Sequence, residues 1–310
     1  MLPAGVQVAD PRRGLGVTET LGAALPDAAF ALFVVLTQLG DPWLLVLVAG
    51  ATYLVADRVT WIDRERAAYV VALTVTAMAL TTALKGLFAF PRPPSAPIPG
   101  IEPLPTILRA VYVDAANAGG FGFPSGHALG STVVWGGLAL VVERSTPRRR
   151  LAVAAALVAV VSLSRLVLGV HYLVDVLAGV ALGLLVLLAT ARLTASGRRP
   201  EPAFALATAS ALGAVAFAGV GLVPVVELAS AVGGWFGWRA VADAEGRGGL
   251  LRRSLLAVGL GLLGGVVLLT AGATRAAAVV FVAVVSAVAV GVTLPLADDP
   301  RRARRPTESR

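Results

Sequence analysis

The chain is a succession of nearly charge-free apolar runs separated by short breaks crowded with arginine, and that alternation is the tightest constraint on its fold. A hydrocarbon core about 30 Å thick takes roughly 20 apolar residues in a helix. Inside it every backbone polar group must be bonded internally, so such runs become membrane helices. They fall near 43–56, 67–89, 127–143, 151–168, 172–191, 203–222, 224–238, 253–272 and 275–297, which predicts an all-α polytopic bundle of about nine spans. The stretch from Asp27 to Gln38 is too short to cross alone and is broken by Gly40, Asp41 and Pro42. It reads as an interfacial helix leading into the first span, with a tenth crossing as the alternative. The 224–238 run is weakened by Glu227 and by Gly233, Gly234 and Gly237 among aromatics, so a re-entrant or interfacial course is open there.

Arginine placement sets the orientation. Arg58, Arg64 and Arg66 occupy one break, Arg144 and Arg148 to Arg150 another, Arg192, Arg198 and Arg199 a third, and Arg239, Arg247, Arg252 and Arg253 a fourth. With the tail arginines from Arg301 to Arg310, nine spans put every basic set on one side, expected to be cytoplasmic. The net charge of +8 is therefore a matter of topology rather than of nucleic-acid binding. With 57% apolar and 14% charged residues, the chain is expected in the plasma membrane as a multi-pass protein with a cytoplasmic C-terminus. No removable signal peptide is evident in the first 26 residues. The absence of cysteine excludes disulfides, thiolate nucleophiles and cysteine-ligated metals.

The expected organisation is a flexible N-terminal segment over 1–26, a catalytic membrane core over 27–200, accessory helices over 201–297 and a basic tail over 298–310. The loop from Pro91 to Phe123 lies outside, rich in proline and ending in Gly119, Gly120 and Gly122, with a short surface helix expected from Thr106 to Ala116.

Three rare side chains sit on that same outer face. Lys85 is the one lysine among 26 basic residues, and His127 and His171 are the two histidines. Each falls at the outer end of a span. Beside them stand Arg92, then Pro124-Ser125-Gly126-His127, then Ser164-Arg165 followed by His171 and Asp175. Lys85, Arg92 and Arg165 offer three cations to a phosphoryl group, and guanidinium can grip its oxygens in bidentate fashion. Ser125 and Gly126 lie where a loop enters a helix, so their backbone N–H groups can donate to an anion, and glycine permits close approach. His171 and Asp175, four apart and expected on one helical face, make an activated histidine with one ring nitrogen held by carboxylate and the other nucleophilic. His127 is then placed to protonate the leaving oxygen and deprotonate water.

These three segments resemble the signature of the type 2 phosphatidic acid phosphatase superfamily, which includes bacterial acid phosphatases and vanadium haloperoxidases. The pattern is Lys, six residues, Arg-Pro; Pro-Ser-Gly-His; and Ser-Arg, five residues, His, three residues, Asp, and every position is filled between about 43 and 192. The resemblance implies His171 as nucleophile, Asp175 as its orienting partner, His127 as general acid, and Lys85, Arg92, Ser125, Gly126 and Arg165 as phosphate ligands. It implies hydrolysis of a lipid phosphate or isoprenoid pyrophosphate at a non-cytoplasmic active site, with no metal and no cofactor.

A lone basic residue at a helix end is usually a snorkelling charge, and a lone histidine usually packs. Here both histidines and the one lysine all occupy motif positions. Ser164 keeps two readings, a bond to its own helix or a phosphate contact. Glu102, Arg109 and Asp114 read as solvated loop charges, Gly261 and Gly265 as helix packing, and Trp43, Trp235 and Trp238 as an interfacial belt. The rival functions are a lipid phosphotransferase, a haloperoxidase, and a non-enzymatic phospholipid-binding or transport protein. Transport sites are expected near the membrane midplane, whereas this constellation lies at one face. The expected partners are a lipid phosphate and the bilayer itself, and the oligomeric state is open.

Overall fold

A computed structural model describes residue 13 and residues 15–56, 58–94 and 119–242. Among these, helices and turns account for all regular structure. They are α1 (Val17–Ala24), α2 (Asp27–Thr37), α3 (Pro42–Val55), α4 (Arg64–Phe88), α5 (Gly126–Val141), α6 (Pro147–Val167), α7 (Leu173–Leu193), α8 (Glu201–Ala218) and α9 (Leu222–Ala242). Residues Met1–Trp235 form one compact unit, and a second begins at Phe236, of which only the end of α9 is described. The expected spans 253–272 and 275–297, Gly261, Gly265, the tail and the middle of the outer loop lie outside the described residues.

The helix starts are written locally. Asp63 caps α4 by accepting from Arg66 N at 2.8 Å, and Thr146 caps α6 with Pro147 following it. Asp41 caps α3 in the same way, its side chain accepting from Trp43 N. Ala89 ends α4 in a left-handed conformation at φ 49°.

The expectation of nine spans requires correction. Among the described residues, which hold seven of the nine expected spans, four helices, α4, α6, α7 and α8, are long and apolar enough to cross a membrane, and α2 with α3 adds a fifth when taken as one span bent by 44°. α5 has 16 residues and is too short by that measure, and α9 carries Glu227 and Arg239 within its 21 residues. Counting apolar runs over-counts because helices that meet protein on most sides are also apolar.

Two N-terminal helices pack against the bundle. In α2, the stretch expected to lead into the first span, Val34 packs with Leu168 and Val170 beyond the end of α6. Within the segment expected to be flexible, α1 sets Val17 and Leu21 against Ala128, Leu166 and Val176. α1, with 8 residues, is much shorter than a span, so a hydropathy scan passes over it.

α4 is the most enclosed of the long helices and packs most extensively against α8. Their contact is built from small residues: Ala79 on α4 meets Ala207 and Ala211 on α8, with Ala231 of α9 in the same cluster. A methyl at Gly86 would stand 2.5 Å from the backbone nitrogen of Ala218, so only glycine allows this approach. α5 is held among α4, α6 and α7. At the arginine-rich end, Arg66 pairs with Glu143 at 2.7 Å, and nearby Tyr69 bonds Thr190 at 2.9 Å, tying α4 to α7. The opposite end gathers the starts of α5 and α7 with the ends of α4 and α6.

Candidate active site

The turn between α6 and α7 delivers the histidine. Leu168 N donates to Ser164 O, and Gly169 takes φ +70°, a left-handed conformation that glycine adopts without Cβ strain. His171 follows in the turn, two residues before α7 begins, and Thr18 of α1 bonds its carbonyl at 3.2 Å. The two residues four apart thus do not share a helix, as the spacing had suggested. Asp175 occupies the third position of α7, where its Oδ2 accepts from Tyr172 N at 2.9 Å. The same oxygen lies 3.5 Å from His171 Nδ1, an ion-pair distance longer than a good hydrogen bond. Helix capping therefore orients the carboxylate that faces the imidazole.

The other ring nitrogen faces Arg92. Arg92 Nη1 stands 3.0 Å from His171 Nε2 and donates to Val170 O at 2.8 Å, while its Nε reaches Gly119 O and Gly120 O at 3.3 and 3.2 Å. Gly122 N donates to Phe90 O at 2.8 Å, and Phe88, Phe90 and Phe123 form a ring cluster beside this junction. Arg92 thereby joins both ends of the outer loop to the histidine turn. Burial lowers Arg92 to about 10, with the Asp175 charge opposing that shift, so it remains cationic at neutral pH. His171 is pushed well below the ordinary histidine value, first by burial and then by Arg92, Arg165, Lys85 and His127. A neutral imidazole among cations has its lone pair available.

Lys85 lies in the last turn of α4, within electrostatic reach of Arg92, Arg165 and Asp175. Arg165 is in the last turn of α6, buried, with Nη1 donating to Thr37 Oγ1 at 2.8 Å. His127, at the second position of α5, sets Nε2 3.7 Å from Asp41 Oδ2. All six titratable residues singled out from the sequence meet at one end of the bundle, although they come from three separate stretches of chain.

Ser125 and Gly126 lie at the start of α5, and the backbone N–H of Ser125 is engaged within the protein. Ser125 N donates to the carbonyl of Asp175 at 2.9 Å, and its hydroxyl accepts from Ala128 N to cap α5. That N–H is therefore committed to joining two motifs rather than aimed at an anion. At Gly126 the close neighbour is protein: a Cβ would lie 2.8 Å from Thr81 Cγ2 on α4. Ser164 donates to Val160 O at 2.7 Å, which selects the helix-backbone reading.

Several residues escaped sequence reasoning. Thr37 and Asp41 flank the break between α2 and α3, which read as a helix terminator. Gly179 lets α7 approach α5 so closely that a Cβ would meet Ser125 O at 2.6 Å, and Gly183 meets Thr132 likewise. Their small-xxx-small spacing was legible in principle. Arg13 reaches in from the N-terminal segment: one terminal nitrogen forms an ion pair with Asp175 Oδ1 and the other donates to Pro91 O at 2.9 Å. Nothing in the local pattern around Arg13 announces this.

Comparison with known proteins converges on the same region. The family model described as the PAP2 superfamily matches residues 66–199, which contain every motif residue but not Arg13, Thr37 or Asp41. The chain is 32% identical over 178 residues to decaprenylphosphoryl-5-phosphoribose phosphatase of Mycobacterium tuberculosis (strain ATCC 25618 / H37Rv), covering 56% of this chain and 86% of that protein. It is 33% identical over 84 residues to phosphatidylglycerophosphatase B of Bacillus subtilis, covering 25% of this chain and 41% of that protein. No solved structure matches the chain significantly.

Proposed function

The chain belongs to the PAP2 superfamily, and from that premise we propose that it is an integral membrane phosphatase acting on a lipid phosphate or (poly)isoprenyl pyrophosphate through a phosphohistidine. The observation that carries this reading is the bracketing of His171, with Nδ1 turned to Asp175 and Nε2 turned to the guanidinium of Arg92. A phosphoryl group that draws the Arg92 guanidinium onto its oxygens releases Nε2 as the attacking atom. The relatives' names support the substrate class, since both describe phosphatases of lipid-linked phosphates.

In the proposed reaction Nε2 of His171 attacks phosphorus in line, the phosphorus–oxygen bond to the lipid breaks, and His127 gives its proton to the leaving oxygen. Water then attacks the phosphohistidine, its proton passes to His127, and phosphate leaves as the phosphorus–nitrogen bond breaks. Lys85, Arg92 and Arg165 hold the oxygens throughout and take the charge that metal ions carry in other phosphatases, which supports a metal-independent mechanism. Asp175 orients the nucleophile, and the Ser125 hydroxyl with the Gly126 N–H completes the phosphate-binding set. The proposed layout places a catalytic core over 27–200, accessory helices over 201–297, and a basic cytoplasmic tail over 298–310. In that layout the site opens on the non-cytoplasmic face of the plasma membrane.

The test is phosphate release from a panel of lipid phosphates by the protein in detergent. His171→Ala should lower it by about four orders of magnitude or more, EDTA should leave it intact, and vanadate should inhibit as a mimic of the pentacoordinate transition state. Undiminished turnover by His171→Ala refutes the nucleophile assignment.

A further inference from the structure

Asp175 has two oxygens with separate partners. Oδ2 accepts from Tyr172 N and faces His171, while Oδ1 is taken by the Arg13 guanidinium. The Asp175 side chain is fully buried, and that of Arg13 is 16% exposed. The second terminal nitrogen of Arg13 bonds the carbonyl of Pro91, the residue before Arg92. Its guanidinium carbon lies 4.9 Å from the centre of the Phe90 ring and 5.1 Å from that of Tyr172. Such stacking fixes the plane of the fork, and a planar fork fixes what it grips.

A buried carboxylate deprived of one charged partner is strongly disfavoured and relaxes toward any other donor. Here relaxation would turn Oδ2 away from His171 Nδ1, across a contact already at 3.5 Å. Removing the bond to Pro91 would also loosen the segment that carries Arg92 against His171 Nε2. A single side chain outside the matched family region therefore braces both neighbours of the same imidazole.

We infer that Arg13 is a positioning residue for the phosphoryl-transfer step, holding the carboxylate of Asp175 and the carbonyl of Pro91 so that His171 stays aligned for attack. This rests on the reading of His171 as nucleophile. Arg13 acts through Asp175 and Arg92 and does not itself grip the phosphate, since both its terminal nitrogens are committed within the protein.

The experiment measures phosphate release by the purified full chain in detergent, with dioctanoyl phosphatidic acid and farnesyl pyrophosphate as probes. Wild type and His171→Ala are run first: inactivity of the former or activity of the latter ends the nucleophile reading itself, separately from any role of Arg13. Given that control, Arg13→Ala should lower kcat roughly 10- to 100-fold, the effect of a misplaced reacting group, with KM little changed. Arg13→Lys should recover part of the loss, because an ammonium can meet Asp175 but not span to Pro91 in the same plane. Guanidinium ion at low concentration should raise the Arg13→Ala rate and leave wild type unaffected. Wild-type kcat in Arg13→Ala overturns the inference, and so does a loss confined to KM, which would make Arg13 a substrate ligand. If Arg13→Ala does not fold, Arg13→Lys decides: a folded lysine variant with kcat unchanged, or one whose activity falls only with its melting temperature, overturns it equally.

Discussion

Two histidine–aspartate pairs stand at the same end of this bundle, and they are built in opposite ways. His171 and Asp175 are four residues apart, with side chains 1% and 0% exposed, locked by a helix cap and by Arg13. His127 and Asp41 are 86 positions apart, 18% and 19% exposed, and face one another at 3.7 Å, with Asp41 also capping α3 through Trp43 N. The difference matches the proposed tasks. A nucleophile must stay neutral and aimed, which burial among cations enforces, whereas an acid that later serves as a base must exchange its proton with water. One pair is dry, and the other is partly open to solvent.

The sharpest test of that contrast compares leaving groups. His171→Ala should abolish turnover on every substrate, while His127→Ala should lose roughly 10²- to 10⁴-fold on lipid substrates, the usual worth of a positioned general acid. On a nitrophenyl phosphate, whose departing oxygen needs no proton, His127→Ala should still release nitrophenol in a rapid first turnover and then stall. Equal loss by both variants on both substrates would erase the distinction between the pairs.

The next effect is structural. Gly179→Ala places a methyl 2.6 Å from Ser125 O, against backbone that cannot swing aside. It should destabilise the protein by about 1–3 kcal/mol, read as a lower melting temperature, with activity falling alongside. A variant of unchanged stability would mean that α5 and α7 can separate without harm.

Smaller still is the expected cost at Asp41. Asp41→Asn should reduce kcat by roughly 10-fold or less, since a partly exposed pair at this distance contributes about 1 kcal/mol. A loss as large as that of His127→Ala would show that Asp41 holds the acid as firmly as Asp175 holds the nucleophile.

The smallest expected change is with pH. His171 is lowered well below its ordinary value, so its neutral form persists as acid is added through pH 6.5, where a free imidazole would half-protonate. Phosphoenzyme formation in a single turnover should therefore not halve near pH 6.5 on account of His171. A limb at that pH in His127→Ala, where His171 is the one remaining histidine, would contradict the burial argument.

The cluster was legible in the sequence because its side chains are rare here and stand at fixed local spacings. Lys85, Arg92, His127, Arg165, His171 and Asp175 could be named before any fold was known. The count of spans was less legible, since α5 is apolar for reasons of protein packing as much as of lipid, and α9 is an apolar run interrupted by Glu227 and Arg239. Ser125 read as an anion donor because its N–H precedes a helix, yet that N–H is answered by the carbonyl of Asp175 from another helix.

The amino-acid pattern by itself determined that this is a helical membrane protein whose rare charged side chains gather at one end, because hydropathy and helical period are properties of short stretches. Only the tertiary structure decided that Thr37 meets Arg165, that Asp41 faces His127, and that Arg13 closes on Asp175. Those contacts join residues 86 to 162 positions apart. Their partners are chosen by how α1, α2 and α3 pack against the bundle, and local sequence carries no record of that choice.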